Sequence, residues 1–430
     1  MKRYAKYKDS GIPWIGEVPE HWLQLRGKNI FTRMARVVEA DDEVITCFRD
    51  GQVTLRKNRR TDGFTESFKE IGYQGIRPGD LVIHQMDAFA GAIGVSDSKG
   101  KGTPVYICLQ PKGEQSNFYY AYLLREMART GYIKSLYRGI RERSSDFRYE
   151  TFGKLLLPIP PADEQRAIVE YLDSAVGRID GYIAEKEAEI EKLGLLKQSV
   201  IAHAVTKGIN PNAKMKDSGI PWIGEVPEGW KVVRLFSVAS EHFISNQKIH
   251  HQNLLSLSYG QIIRKNIDCT KGLLPETFDK YQVVEPGNIV LRFTDLQNDH
   301  RSLRVGLVKE EGIITSAYLC IASRDNVVPE YLYLILHVND IHKVFYGMGG
   351  GLRQSLDFSE FRKLPVLLPP FSEQRAIVEF IDRKVKEIDG FISAVREQIE
   401  KLKLYKQRLI SDVVTGKIKV CKDTLAEEVI

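Results

Sequence analysis

Apolar residues recur mostly at steps of three and four along two stretches of the chain, each free of proline over about 40 residues. The first series is Ile168, Leu172, Val176, Ile179, Ile183, Ile190, Leu193 and Val200. The second series is Ile377, Ile381, Val385, Ile388, Ile392, Val395, Ile399, Leu402, Leu409 and Val413. Each series forms an apolar stripe on one face of a helix, and charged residues fill the other faces.

Each predicted helix would span roughly 60 Å at about 1.5 Å per residue. A helix of this length with one narrow apolar stripe requires a partner helix. The other stretch of the same chain is the obvious partner. Two equivalent helices related by a pseudo-two-fold axis across their length pack antiparallel, so we expect an intramolecular antiparallel coiled coil. A coiled coil between separate chains is the alternative.

The regions before the two helices share a pattern of strands. In both, a Pro-Gly turn leads into an apolar, β-branched run, at residues 78–83 and 286–291. Further strands are expected at residues 92–95, 105–109, 305–308 and 317–321, and helices at residues 119–130 and 329–342. Each region is therefore expected to be a compact mixed α/β domain of the α+β type, with a curved antiparallel sheet.

Two blocks of sequence occur twice. Residues 8–22 return as residues 216–230 and differ only at His21, which corresponds to Gly229. Residues 164–170 return unchanged as residues 373–379, and a proline-rich step precedes both copies. Between these blocks the two halves diverge almost completely. An old duplication without functional content would not easily explain this alternation, which suggests a shared framework that carries two different specificities.

Composition narrows the class of protein. The 430 residues carry a formal net charge of +6, with 43% hydrophobic and 27% charged residues, as in a soluble globular protein. Residues 23–157 hold 22 basic and 16 acidic side chains, and residues 231–367 hold 16 and 14, a mild basic excess compatible with nucleic acid. The chain has no uninterrupted apolar run of about 18 residues and no secretory pattern at its start, so a cytoplasmic protein without membrane contact is expected. Five scattered cysteines are expected to be reduced.

Sequence motifs for catalysis are missing. The Leu-Pro-Pro-Phe sequence at residues 368–371 superficially resembles the loop of adenine methyltransferases, but leucine cannot accept a hydrogen bond from a target base. Its counterpart at residues 159–162 lacks the aromatic residue, so both are interpreted as rigid hinges before a helix. No phosphate-binding Gly-x-x-x-x-Gly-Lys loop and no histidine spacing for a metal are found.

The doubled order of these motifs closely resembles the specificity subunits of type I restriction–modification systems. The resemblance rests on Pro-Pro-x-x-Glu-Gln-Arg before a long helix, and on Asp-Ser-Gly-Ile-Pro-Trp-Ile-Gly-Glu-Val-Pro before each variable region. It covers about residues 8–416. Neither motif alone would be specific, but their double occurrence in this order is.

The resemblance implies a DNA-recognition protein without catalysis of its own. Each variable region would be a target recognition domain that reads one half of a split sequence in double-stranded DNA. The helices would set the spacer and dock two adenine methyltransferase subunits, and restriction subunits would join the full complex. No cofactor is expected in this chain, because S-adenosylmethionine belongs to the methyltransferase. The expected parts are a first recognition domain (1–157), a central helix (158–208), a second recognition domain (209–367), a distal helix (368–418) and a tail (419–430).

Three classes of loop could contact DNA, because arginine, lysine and amide side chains bind phosphates and base edges. The first class comprises Arg56, Lys57, Asn58, Arg59 and Arg60 in one half, and Arg264, Lys265 and Asn266 in the other. The second follows the central strand and comprises His84 and Gln85 in one half and Arg292 in the other. Arg301 and Arg304 are further candidates in the second half. The third comprises Arg138, Arg141 and Arg143, and Arg353 and Gln354. Arg141 and Arg353 are the strongest candidates for base contacts, because both lie close to glycine.

Two other interpretations remain open. The chain could be a two-domain DNA-binding adaptor of another defence complex, which a neighbouring methyltransferase gene would argue against. It could also be an enzyme with an unrecognised active site in the variable regions, which the missing motifs disfavour.

Overall fold

The computed structural model describes residues 2–59, 71–136, 147–249, 251–265, 277–294, 296, 303–348 and 356–420. The chain divides into two compact units. The first unit comprises Met1–Glu187 and Glu397–Ile430, and the second comprises Ala188–Arg396. Both boundaries fall inside the two long helices, so each unit contains part of each helix.

The first unit is a mixed α/β structure. Its strands are β1 (Tyr7–Ile12), β2 (Gly16–Pro19), β3 (Leu23–Arg26), β4 (Phe31–Met34), β5 (Ile45–Cys47), β6 (Val53–Leu55), β7 (Gln74–Ile76), β8 (Leu81–His84), β9 (Ile93–Val95), β10 (Gly100–Gly102), β11 (Tyr106–Pro111) and β12 (Leu156–Ile159). Its short helices are α1 (Gly27–Ile30), α2 (Asn117–Arg129), α3 (Tyr132–Ser135) and α4 (Tyr149–Lys154). The first long helix, α5 (Ala162–Lys207), begins here and continues into the second unit.

The main sheet of the first unit is antiparallel, in the order β4-β11-β8-β9. Helix α2 packs against β8 and β9 and buries Tyr119, Tyr120 and Leu123. The strands and the helix expected from the sequence are therefore confirmed to within one or two residues. A separate hairpin of β5 and β6 lies beside this sheet.

The second unit repeats this plan. Its strands are β13 (Met215–Asp217), β14 (Glu225–Pro227), β15 (Lys231–Arg234), β16 (Ala239–Glu241), β17 (Ile244–Ser245), β18 (Leu255–Ser258), β19 (Gln261–Arg264), β20 (Gln282–Val284), β21 (Ile289–Leu291), β22 (Val305–Leu307), β23 (Gly312–Ile314), β24 (Leu319–Ser323) and β25 (Pro365–Leu368). Its helices are α6 (Pro329–Ile341), α7 (Phe358–Phe361) and α8 (Phe371–Val414), which continues into the first unit. The main sheet is antiparallel in the order β16-β24-β21-β22, and α6 packs against β22 and β24.

The two long helices begin and end as the sequence indicates. The prolines at 160–161 and 369–370 immediately precede α5 and α8, as expected of hinges. Gly208 and Gly416 follow the helix ends with φ values of 76° and 75°, the left-handed conformation that glycine adopts most readily. Most of the predicted stripe residues are buried, among them Ile179, Ile183, Ile388, Val395, Ile399 and Leu409.

Within each unit, α5 and α8 run in opposite directions. In the first unit, Tyr119 donates a hydrogen bond to the carbonyl oxygen of Val414 beside the start of α5, and Lys406 Nζ forms an ion pair with Asp180 further along. In the second unit, Lys197 Nζ lies 2.8 Å from Asp389 Oδ2, and the Tyr331 hydroxyl reaches the carbonyl oxygen of Val205.

The repeated Glu-Gln-Arg motif joins each long helix to its sheet domain. Gln165 is fully buried: its Oε1 accepts a hydrogen bond from the Ser116 backbone at 2.8 Å, and its Nε2 donates to the carbonyl oxygen of Pro160 at 2.8 Å. Gln374 makes the same two bonds in the second unit, to the Val328 backbone at 2.9 Å and to Pro369 at 3.0 Å. The motif is therefore a structural link, which its repetition alone did not reveal.

The cysteines in the described part of the chain are unpaired thiols. Cys47, Cys108 and Cys320 are buried. Burial raises the pKa of Cys108 and that of Cys320 to about 12, so both are neutral thiols at physiological pH. No helix among the described residues is long and apolar enough to cross a membrane.

Candidate nucleic-acid interface

The first candidate loop follows the β5–β6 hairpin and begins with one turn of 3-10 helix, Arg56–Asn58. Lys57 Nζ lies 2.6 Å from Glu43 Oε1, and Arg59 Nη1 lies 2.7 Å from Asp50 Oδ2. Arg59 also stacks over the ring of Phe48, 4.2 Å from its centroid. The exposed cations of this loop are therefore held by neighbouring carboxylates when DNA is absent.

The second candidate loop follows β8. His84 is mostly buried, and its Nδ1 accepts a hydrogen bond from the backbone N–H of Asp87, which leaves Nε2 as the nitrogen that can face a ligand. Burial lowers the pKa of His84, so the ring is mainly neutral near pH 7. Gln85 uses its backbone to bind Val105 and Phe147, and its side-chain Nε2 lies 3.4 Å from the carbonyl oxygen of Pro104.

The turn between β5 and β6 connects these two loops. Arg49 Nη2 binds Asp87 Oδ1 at 2.9 Å, while the adjacent Asp50 binds Arg59. The turn therefore ties residues of the first and second loops to one edge of the domain. Arg49 itself was missed in the sequence, although its position in an Arg-Asp-Gly turn between two strands could have indicated it.

The second unit has the same hairpin with a one-residue difference in register. Arg56 donates its backbone N–H to the carbonyl oxygen of Val44, and Lys265 donates in the same way to Leu254, both at 2.8 Å. Lys265 therefore occupies the place of Arg56, and matching Arg56 with Arg264 by sequence was wrong by one position. The cause is the shared Arg-Lys-Asn sequence at 56–58 and 264–266, although Lys265 follows Gly260 by five residues just as Arg56 follows Gly51.

The exposed cations of this second hairpin differ in their surroundings. Arg264, the last residue of β19, forms a two-pronged ion pair in which Nε lies 2.7 Å and 2.8 Å from the two carboxylate oxygens of Glu310. Lys265 is exposed. Both side chains are exposed, and a phosphate could replace the carboxylate that Arg264 binds.

Arg304 is not on the surface. It is fully buried and hydrogen-bonded to the carbonyl oxygens of Arg292 and Thr294, so the expectation that it contacts DNA directly is wrong. Arg292 remains half-buried at the end of β21, at the position that corresponds to His84. In the sequence, a buried arginine such as Arg304 cannot be told from an exposed one, because both kinds occur among polar loop residues.

Several candidate residues lie outside the described part of the chain. They are Arg60, Arg138, Arg141, Arg143, Asn266, Arg301, Arg353 and Gln354. The third loop class, which contains the two strongest candidates for base contacts, is among them. Asn58 lies within the described part, and its side chain donates to Thr54 Oγ1 at 2.9 Å.

Among the described residues, no group of three or more histidine, cysteine, aspartate or glutamate side chains could hold a metal ion. What the two units present instead is a set of arginine, lysine, histidine and amide side chains around the ends of β6, β8, β19 and β21. Such side chains bind phosphates and base edges. This arrangement is compatible with nucleic-acid binding, and the two units share its position but differ in its side chains.

Comparisons with known proteins confirm the family resemblance. Residues 304–401 match the family model described as the type I restriction modification DNA specificity domain. Two relatives come from Methanocaldococcus jannaschii. The type I restriction enzyme MjaX specificity subunit, an assignment that its name marks as provisional, is 23% identical over 94% of this chain and 96% of its own length. The MjaVIII specificity subunit is 24% identical over 84% of each chain.

Solved structures show the same fold. A chain from a structural study of complex assembly and conformational transition in a type I restriction–modification system superposes with a TM-score of 0.61 at 14% identity, covering 93% of this chain and 99% of that one. The HsdS subunit from Thermoanaerobacter tengcongensis gives a TM-score of 0.53 at 16% identity, over 93% and 98%. Family model, relatives and fold agree that this chain is similar to the specificity subunits of type I restriction–modification systems.

Proposed function

We propose that each unit reads one half of a bipartite target in double-stranded DNA for a type I restriction–modification enzyme. The observation that carries this proposal is the presence of two similar units in one chain. The two units share their sheet order and the buried glutamine of the Glu-Gln-Arg motif, yet differ in the side chains at the loops. A shared framework with different reading loops is what two unlike half-sites require.

The long helices have a separate role in this proposal. They form an intramolecular antiparallel coiled coil that sets the unspecified spacer and docks two adenine methyltransferase subunits. Restriction subunits join the full complex. The ion pairs Lys406–Asp180 and Lys197–Asp389 support an antiparallel arrangement within each unit. Apolar side chains that remain exposed on these helices, such as Leu195, Leu196 and Leu404, support the docking of partner helices.

Catalysis belongs to the partners in this proposal. The chain neither methylates nor cleaves DNA on its own, and S-adenosylmethionine binds the methyltransferase. The first candidate loop, which presents Lys57 and Arg59, supplies phosphate contacts in the first half-site, and the loop around Arg264 and Lys265 does so in the second.

The experiment is reconstitution with labelled S-adenosylmethionine. Purified chain, a type I adenine methyltransferase subunit from the same genome, and the two together are each incubated with host DNA from a strain that lacks the system. We expect methylation only in the mixture, at a single sequence made of two short half-sites separated by a fixed gap. Methyl transfer by the chain alone, or methylation without a bipartite sequence, would reject the proposal.

A further inference from the structure

Arg304 is buried in the second unit, with no surface exposed to solvent. A buried arginine is costly unless hydrogen bonds satisfy its charge. Its Nη1 donates to the carbonyl oxygens of Arg292 at 3.0 Å and Thr294 at 2.8 Å, and its Nε donates to the hydroxyl of Tyr346 at 3.0 Å. The guanidinium also faces the ring of Tyr346, with Cζ 5.3 Å from the centroid.

These acceptors belong to two segments of the candidate DNA-binding surface. Arg292 and Thr294 form the loop that follows β21. Tyr346 lies in the 3-10 turn Val344–Gly347, which leads toward the third candidate loop. One nitrogen that binds two carbonyl oxygens two residues apart fixes the curvature of the β21 loop. That backbone conformation sets the direction of the Arg292 Cα–Cβ bond.

A buried carboxylate accompanies Arg304. The backbone N–H of Arg304 donates to Asp340 on α6, which is itself fully buried. Asp340 Oδ1 has no hydrogen-bond partner among the described residues. Burial raises the pKa of Asp340, and the backbone N–H of Arg304 with the positive charges of Lys343 and Arg304 offsets part of that shift.

The first unit has alanines at the corresponding positions. Arg292 donates its backbone N–H to the carbonyl oxygen of Arg304 at 2.9 Å, and His84 donates in the same way to Ala92 at 3.0 Å, so Ala92 matches Arg304. Ser116 and Val328 bind equivalent glutamines at the starts of α2 and α6, so these two helices can be aligned. Ala128 and Asp340 each lie twelve residues further along and therefore correspond. Both alanines are buried.

In the first unit, the sheet and α2 therefore pack with two alanines where the second unit has Arg304 and Asp340. In the first unit a backbone hydrogen bond holds the corresponding loop instead, from the N–H of Phe147 to the carbonyl oxygen of Gln85 at 3.0 Å. The fold therefore does not require the Arg304–Asp340 couple. The Arg304 guanidinium acts on the loop that follows β21 and on the turn that holds Tyr346.

We propose that Arg304 is a positioning residue for DNA reading by the second unit, which holds the loop of residues 292–294 so that Arg292 faces its half-site. This rests on the proposed function of the two units. Arg304 acts through the loop and does not contact DNA, so its loss should alter sequence preference at one half-site only.

The test uses full-length chains and selection from a library of random duplex DNA. Arg304→Met with Asp340→Asn removes both charges while keeping volume, Arg304→Lys keeps only the charge, and Tyr346→Phe removes one hydroxyl. Arg324→Met, an exposed arginine of the same unit, is the matched control. Thermal unfolding monitors folding of each variant.

We expect the double variant to retain the first half-site and to lose about tenfold in preference for the second, the size of one lost base contact. Arg304→Lys should not rescue this, because one ammonium cannot replace the planar guanidinium that bridges three acceptors. Tyr346→Phe should give a smaller loss of preference at the same half-site. If the double variant does not fold, the result for Tyr346→Phe tests the proposal instead. The Arg324→Met control should match the native chain.

The inference would be overturned if a folded variant kept its preference at the second half-site. Equal losses of preference at both half-sites would also overturn it, because they indicate a general structural role. If the native chain itself selects no bipartite sequence, the proposed function fails, and that outcome is distinct from failure of the Arg304 assignment.

Discussion

The exposed cations at the edge of the first unit already have carboxylate partners. Lys57 pairs with Glu43, Arg59 with Asp50 and Arg49 with Asp87. Exposed ion pairs stabilise a fold little, so exchanging a carboxylate for a phosphate costs little. The carboxylates also lower the local positive potential, which reduces attraction to DNA of any sequence. A recognition protein gains from this, because specific sites must compete with a large excess of other DNA.

Lys57→Ala tests the phosphate role of this loop. The slope of log affinity against log salt concentration should fall by about one unit, because one fewer counterion is released on binding. The loss should be equal on cognate and scrambled duplexes, since phosphates carry no sequence information. Lys401→Ala, which removes an exposed lysine paired with Glu397 on α8, should leave the slope unchanged. A loss confined to the cognate duplex would show that Lys57 contacts a base.

His337 on α6 makes stability depend on pH. Its ring is half-buried, its buried Nδ1 has no hydrogen-bond partner among the described residues, and it stacks on Tyr333. Burial, with a smaller effect of Lys197, lowers the pKa of His337 below its ordinary value of 6.5. The unfolded chain therefore binds a proton that the folded chain does not, so stability falls as pH drops below about 6.5.

His337→Gln should reduce this loss of stability. Melting temperatures of the native chain and the variant, compared between pH 7.5 and pH 5.5, give the measurement. Part of the dependence should remain in the variant, because burial lowers the pKa of His84 as well. Parallel decreases in both proteins would mean that His337 does not contribute.

At the scale of elements, the repeated motif is explained by one buried side chain in each copy. Gln374 satisfies the N–H of Val328 at the start of α6 and the carbonyl oxygen of Pro369 before α8. A glutamine can do both because its amide carries an acceptor and a donor. The link fixes the domain helix against the long helix, which explains why both copies carry the same residues.

Gln374→Ala should destabilise the second unit by about 1–3 kcal/mol, because it leaves buried backbone groups without partners. Hydrogen exchange detected by mass spectrometry should show faster exchange at residues 326–330, with little change in the first unit. Gln398→Ala is the matched control, since Gln398 lies exposed on the same helix. Equal exchange in the two variants would contradict the assigned role.

The pattern of apolar residues predicted the helices and strands well, but it did not predict the contacts of the loop side chains. The stripes of α5 and α8 and the Pro-Gly turns before β8 and β21 are local signals, so sequence alone located them. The burial of Arg304 depends on Asp340 and Tyr346, which are distant in sequence, and no local pattern reveals such contacts. The one-residue error at Lys265 arose because the shared Arg-Lys-Asn sequence favoured Arg264, whereas the backbone hydrogen bonds of the hairpin match Lys265 with Arg56.

At the scale of the whole molecule, the ends of the long helices are parts of the sheet domains. Val205 is fully buried and its carbonyl oxygen lies within reach of the Tyr331 hydroxyl, while Gly208 lies against Trp230. Residues added at 205–208 would therefore disrupt a core. Glu187 and Arg396, where the units divide, lie exposed in the helices and offer a better position.

The last prediction tests whether the helices set the spacer. Duplicating residues 188–191 in α5 and 397–400 in α8 adds four residues to each helix, about 6 Å of length and close to one turn of 3.6 residues. One base pair adds roughly 3.4 Å along DNA, so the recognised sequence should keep both half-sites and gain one or two base pairs between them. Duplicating only two residues in each helix rotates one end by about 200° and should abolish bipartite recognition. Methylation mapping in cells that carry each variant measures both outcomes. An unchanged spacer with the four-residue duplications would show that the helices do not determine the distance between half-sites.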